Sequence, residues 1–252
     1  MDPSYVRTAE ATGGQVFLFD RSEAARSMVL VRNASKHEDT IFRATGTLST
    51  GSQEFEFPVD STVESLMVSI TLQCLQSITV LRSSNTEVHS GEPDVDDNRF
   101  RSGEILIVAR PGAGTWRVKI AGAGMFFVVA QAKSAISLDR VEFVEPGGRP
   151  GHEGLFSVKG PVRIGEQRML SARMTSPHGE LAFRLVNSAG ETLEPLEVKA
   201  ADESTDDREF LGTLTLKFPA FHVAVKGRDE GGYPYQRVLP RPIQVQPPNV
   251  VE

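Results

Sequence analysis

Hydrophobic and polar positions alternate with period two over most of the chain. In residues 66–74, Leu66, Val68, Ile70, Leu72 and Cys74 take the even positions, and most of the odd ones are polar. That spacing predicts a half-buried strand with Cys74 on its core face. Residues 104–109 are apolar on both faces and predict a central strand. Trp116, Val118 and Ile120 alternate with Arg117 and Lys119, between two Gly-Ala-Gly turns, and 126–132 returns as in a hairpin. Near the start, 15–19 is a short apolar strand candidate after Gly13-Gly14. Residues 22–30 carry Ala25, Met28 and Val29 at helical spacing, which predicts a helix.

The densest Pro/Gly stretch, 145–151, predicts a domain boundary. Beyond it, short strands centre on 168–174, Leu181 to Leu185, Leu196 and Val198, Phe210 to Leu216, Phe221 to Val225, and 235–239. Strands at this spacing without a disulfide predict a Greek-key sandwich of immunoglobulin type. Residues 200–208 are acidic without apolar anchors and predict a mobile loop. The expected fold class is therefore mainly β, with two tandem β-sandwiches after a strand-helix segment. The segment covers 1–46, the first sandwich 47–145 and the second 152–246.

Charge and composition narrow the function. With 27 Lys+Arg against 33 Asp+Glu, the net charge is −6. A mildly acidic chain without a basic run predicts no nucleic-acid partner. The longest apolar run, 120–130, is too short to span a membrane, so no membrane insertion is expected. The single cysteine excludes a disulfide framework. The amino terminus has no basic region followed by an apolar one. The expectation is an intracellular protein or a piece of a longer exported chain.

Candidate chemistry is sparse. Gly-x-Ser-x-Gly, His-Glu-x-x-His, Cys-x-x-Cys and the phosphate loop are all missing from the sequence. The five histidines are read as surface residues. Asp94, Asp96 and Asn98 match the first ligand positions of a calcium loop, but Arg99 stands where the loop needs glycine and Ile105 where it needs glutamate. They are kept as metal candidates, with an acidic solvated loop as the plainer reading. No cofactor is expected. Trp116 is either a sugar-stacking platform or, from its alternation with Val118 and Ile120, a core residue. Tyr233, Tyr235 and Arg237 are read as an exposed contact patch for a protein partner or a glycan.

Two stretches carry a resemblance. Residues 5–17, Tyr-Val-Arg-Thr-Ala-Glu-Ala-Thr-Gly-Gly-Gln-Val-Phe, with the helix over 22–30, resemble the last strand and helix of a von Willebrand factor A domain. Phe57-Pro58-Val59-Asp60-Ser61-Thr62-Val63, with 78–82 and 114–120, is similar to the galactose-binding-like sandwich that follows the A domain in hemicentin-type proteins. The third zone is similar to the immunoglobulin-like module found next in such chains. The Asp-x-Ser-x-Ser metal motif of A domains is missing here, so no metal ligand carries over. The resemblance implies an extracellular or cell-surface adhesion or matrix setting, and a non-catalytic binding or spacer segment. A carbohydrate-binding module and an enzyme with a site assembled from distant loops remain open.

Overall fold

In a computed structural model the residues described are 3–28, 36–201 and 207–248. The fold is mainly β. One antiparallel sheet holds β1 (Asp39–Val59), β2 (Ser65–Leu81), β3 (Val95–Phe100), β4 (Gly103–Ala109) and β5 (Gly114–Lys133), in the order β1-β5-β2-β4-β3. Strands β1, β2 and β5 have 21, 17 and 20 residues. Phe42 and Phe57 of β1 stack with centroids 5.6 Å apart. Fifteen extended residues would separate them by ~50 Å, so the strand folds back on itself. The fold lines coincide: register shifts at Leu48/Gly51, Leu72/Cys74 and Leu75/Ser77 lie beside one another across the three strands. Such bulges bend a strand. The sheet thus closes over its own core, which combines Ile41, Leu66 and Val128 from one half with Phe57, Val80 and Trp116 from the other.

At one fold line Gly122 has φ +146, and a Cβ there would lie 2.1 Å from the Cys74 carbonyl oxygen. Only glycine fits this approach. The neighbouring shift also corrects the expectation for Cys74. After Leu72 the alternation slips by one residue, and Cys74 is exposed.

The second unit has two sheets. β6 (Ser137–Arg149), β7 (His152–Ser157), β8 (Gln167–Thr175), β11 (Val198–Ala200) and β12 (Asp207–Thr215) are ordered β11-β12-β8-β6-β7. β9 (Ala182–Val186), β10 (Thr192–Leu196), β13 (Ala220–Arg228) and β14 (Pro234–Val238) are ordered β10-β9-β13-β14, with β15 (Ile243–Gln244) on β13. Leu170, Ala172 and Met174 of one sheet share a core with Leu185, Val223 and Val225 of the other, and the Phe183 and Phe210 rings meet at 5.3 Å. This is a β-sandwich.

The expected boundaries shift. β1 begins at Asp39 and runs across 46/47. The Pro/Gly stretch at 145–151 lies in the β6–β7 hairpin, where Gly148 and Gly151 take positive φ. A tight hairpin and a linker share the same composition, so the two were indistinguishable in sequence. The crossing between units falls between Lys133 and Ser137, and Ile136 there is fully buried in the second core.

The amino terminus differs most. Pro3–Thr12 forms the helix α1, which the sequence reading did not anticipate. Proline suits its first position, and Gly13 at φ +75 closes its end, with Gly14 N–H donating to Ala9 O at 2.8 Å. Among the described residues, 15–19 join no ladder. They lie across the outer face of the first sheet, where Phe17 and Phe19 pack on Met67, Phe100 and Ile105. The helix expected over 22–30 is a short 3-10 helix, Arg21–Arg26, in a helical stretch continuing to Met28; 29 and 30 lie outside the described residues. Within 200–208, the proposed mobile loop, 202–206 also lie outside them.

Candidate functional site

The patch expected on β14 is divided by where the strand begins, because β14 is covered on both faces. Tyr233, just before the strand, is 44% exposed, whereas Tyr235 and Arg237 are 0% and 1% exposed. Tyr235 and Arg237 are therefore not a surface patch. Tyr235 belongs to the second core, and burial pushes its hydroxyl up to about 12.

Arg237 is the centre of a polar junction between the two units. Its Nε donates to Ile136 O at 2.7 Å, Nη1 to Gln236 O at 2.8 Å, and Nη2 to Asp60 Oδ2 at 2.8 Å and Ser134 Oγ at 2.5 Å. Asp60, fully buried, also accepts from the Thr62 hydroxyl at 2.5 Å. Nearby, Gln236 Nε2 donates to Ile41 O at 2.8 Å, and Asp229 Oδ2 accepts from Ser61 N–H and Oγ–H at 2.7 and 2.6 Å. Those bonds hold the Asp229 carboxyl below its ordinary range against the opposing effect of burial. On the far side, Arg43 donates to Gly13 O and Gly14 O at 2.7 and 2.5 Å and ties α1 to β1. Buried charges persist where each donor and acceptor is satisfied in this way.

The metal candidates do not converge. Asp94 pairs with Arg82 at 3.2 Å, and Asp96 Oδ1 accepts from Asn98 Nδ2 at 2.9 Å. β3 starts at Val95, so the chain is extended where a calcium loop would curl. Among the described residues no three His, Cys, Asp or Glu side chains gather into a metal-binding group. A different acidic pair was missed. Asp97 and Glu104, with 5% and 4% of their side chains exposed, share Arg99 at 3.2 and 3.4 Å. Burial and then the Asp97 charge raise the Glu104 carboxyl to about 7, while Arg99 opposes them. Their pairing across β3 and β4 had no local signal.

Two of the five histidines are buried, against expectation. His222 sits on the outward face of β13, but that face is covered by the first unit. Its Nδ1 lies 2.8 Å from Leu239 O, and burial lowers it to about 4, with nearby Arg43 adding to the fall. His37 Nε2 lies 2.9 Å from Ser65 Oγ beside a cavity of about 600 Å³. A serine–histidine contact is where a nucleophile would start. Ser65, however, is laddered to Ala109 and Lys133, and Glu64 N–H is spent on Lys133 O. That backbone donor beside the pair is therefore engaged in the sheet and not aimed at an oxyanion.

Trp116 is fully buried and donates Nε1–H to Gly112 O at 2.8 Å. A cleft of about 690 Å³ opens between the units, with Phe57 and Pro58 on one wall and Leu181, Lys226 and Pro234 on the other.

No protein-family model and no curated protein matches the chain. Among solved structures, a Bacillus licheniformis lipase, BlEst2, in its propeptide form matches with 13% identity and a TM-score of 0.30, over 77% of this chain and 43% of that one. This chain thus spans less than half of that lipase chain, and nothing is carried over from a likeness so low.

Proposed function

We propose that the chain is a non-catalytic binding or spacer segment of a larger extracellular or cell-surface protein of the adhesion or matrix type. In this reading its two units are a galactose-binding-like and an immunoglobulin-like sandwich, and its partner is a protein or a glycan. The observation that carries the reading is the buried Arg237–Asp60 junction, with Gln236 and Asp229 beside it. Ordinary interdomain contacts permit relative motion. A junction cross-linked by buried, satisfied polar groups instead fixes the angle between two sandwiches, which is what a spacer needs.

The carbohydrate-binding alternative loses its aromatic platform, because Trp116 is buried. The enzyme alternative rests on the His37–Ser65 contact.

The test is to immobilise the intact chain and measure binding to a panel of matrix proteins and glycans, with turnover on ester, glycoside and phosphate substrates followed in parallel. Saturable binding without turnover is expected. Saturable hydrolysis abolished by Ser65→Ala in a folded protein would overturn the proposal.

A further inference from the structure

Strands β6 and β7 leave the second sandwich as a ribbon. β6 is laddered to β8 as far as Val144↔Met169, and from Glu145 to Arg149 its ladder partner among the described residues is β7 alone. Every residue of β7 is exposed, with Leu155 and Phe156 at 38% and 50%. A two-stranded ribbon by itself is marginal in water, so the state of its edges matters.

The phase of the ladder shows which backbone groups face outward. Val158 N–H donates to Phe143 O at 2.8 Å. Alternation then makes Glu145/Phe156, Gly147/Gly154 and Arg149/His152 hydrogen-bonded pairs, and leaves Val144/Ser157, Pro146/Leu155 and Gly148/Glu153 as non-hydrogen-bonded pairs. Residues of the second kind turn their N–H and C=O away from the partner strand. On the β6 side Pro146 is such a residue, and it has no N–H to offer, so that edge is blunted. On the β7 side the outward residues are Glu153, Leu155 and Ser157. Neither a proline nor a bulge interrupts them.

We propose that β7 pairs antiparallel with β7 of a second copy of this chain, about a two-fold axis at Phe156, so that two five-stranded sheets become one. The strand is complementary to itself in this register. Phe156 faces Phe156 at a non-hydrogen-bonded position, where side chains approach most closely. Leu155 exchanges hydrogen bonds with Ser157, twice. Glu153 faces Lys159, just past the strand end, also twice, so that opposite charges meet. A register centred on Glu153 would instead set two carboxylates face to face. The pairing is isologous and closes at the dimer.

The test is sedimentation equilibrium of the full chain carrying Cys74→Ser, which removes adventitious disulfides. A reversible monomer–dimer equilibrium is expected. Leu155→Pro deletes an outward N–H that β6 does not use, so the far-UV spectrum should hold while dimerisation weakens about tenfold or more. Glu153→Lys should weaken it too, and Glu153→Lys with Lys159→Glu should restore it. A chain that stays monomeric at high concentration, a dimer indifferent to Leu155→Pro, or a charge swap that fails to restore pairing would each overturn the proposal. So would a monomer whose β7 edge takes up an unrelated extended peptide.

Discussion

Arg237 and Asp60 are 177 residues apart in sequence and 2.8 Å apart in space, with 1% and 0% of their side chains exposed. The pair joins the last long strand of the second sandwich to the turn after β1. Removing one member strands the other charge in a dry junction. Arg237→Met and Asp60→Asn should each destabilise the chain by about 3–5 kcal/mol, measured by urea unfolding. A loss within ~0.5 kcal/mol, typical of a surface substitution, would mean that water reaches the junction.

Cys74 tests the fold line. Its exposure predicts that a thiol reagent labels the native protein nearly as fast as the unfolded one. Slow native labelling would restore the unbroken alternation and remove the bulge at Leu72/Cys74.

Gly122 tests the same place sterically. A methyl group there collides with the Cys74 carbonyl, and the positive φ is strained for any L side chain. Gly122→Ala should cost more than ~1 kcal/mol, read as a fall in the urea midpoint. An unchanged midpoint would contradict the close crossing of β2 and β5.

Two buried groups give stability opposite slopes with pH. Glu104 titrates at about 7 in the folded state against an ordinary 4.5, so the fold favours its protonated form. Its contribution is complete below 4.5 and is lost as pH rises through 7. His222 titrates at about 4 against 6.5, so the fold favours the neutral ring. Its contribution is complete above 6.5 and is lost as pH falls through 4. Over the shared interval the two slopes offset each other, so Glu104→Gln should leave stability rising with pH between about 4 and 6.5, and His222→Gln should leave it falling between about 4.5 and 7. Urea unfolding across pH 4–8 separates the two, and parallel curves for wild type and variants would refute both.

Much of the first core was legible, because Leu66, Val68, Ile70 and Leu72 do line it, as do Trp116, Val118 and Ile120. The alternation carried the prediction up to Leu72 and failed at Cys74, since a bulge changes the phase without changing composition. The site was much less legible. Tyr235 and Arg237 look like an amphipathic edge when read locally, but Tyr235 packs into the second core, and Asp60, Ser134 and Ile136, supplied from far upstream, make the inward placement of Arg237 favourable. The partners of Glu104 were hidden for a related reason. Asp97 fell within the acidic stretch expected to be a solvated loop, but it lies with Arg99 on the strand beside Glu104. Helix α1 buries little beyond Val6, so it lacks the apolar stripe by which helices are found.

The folded-back strands have a mechanical consequence. In an ordinary sandwich the two layers are different strands, and a pull can slide one layer off the other. In the first unit β1, β2 and β5 each run through both layers. Displacing either layer therefore drags the same three strands out of the other, and the unit yields all at once under load or stays whole.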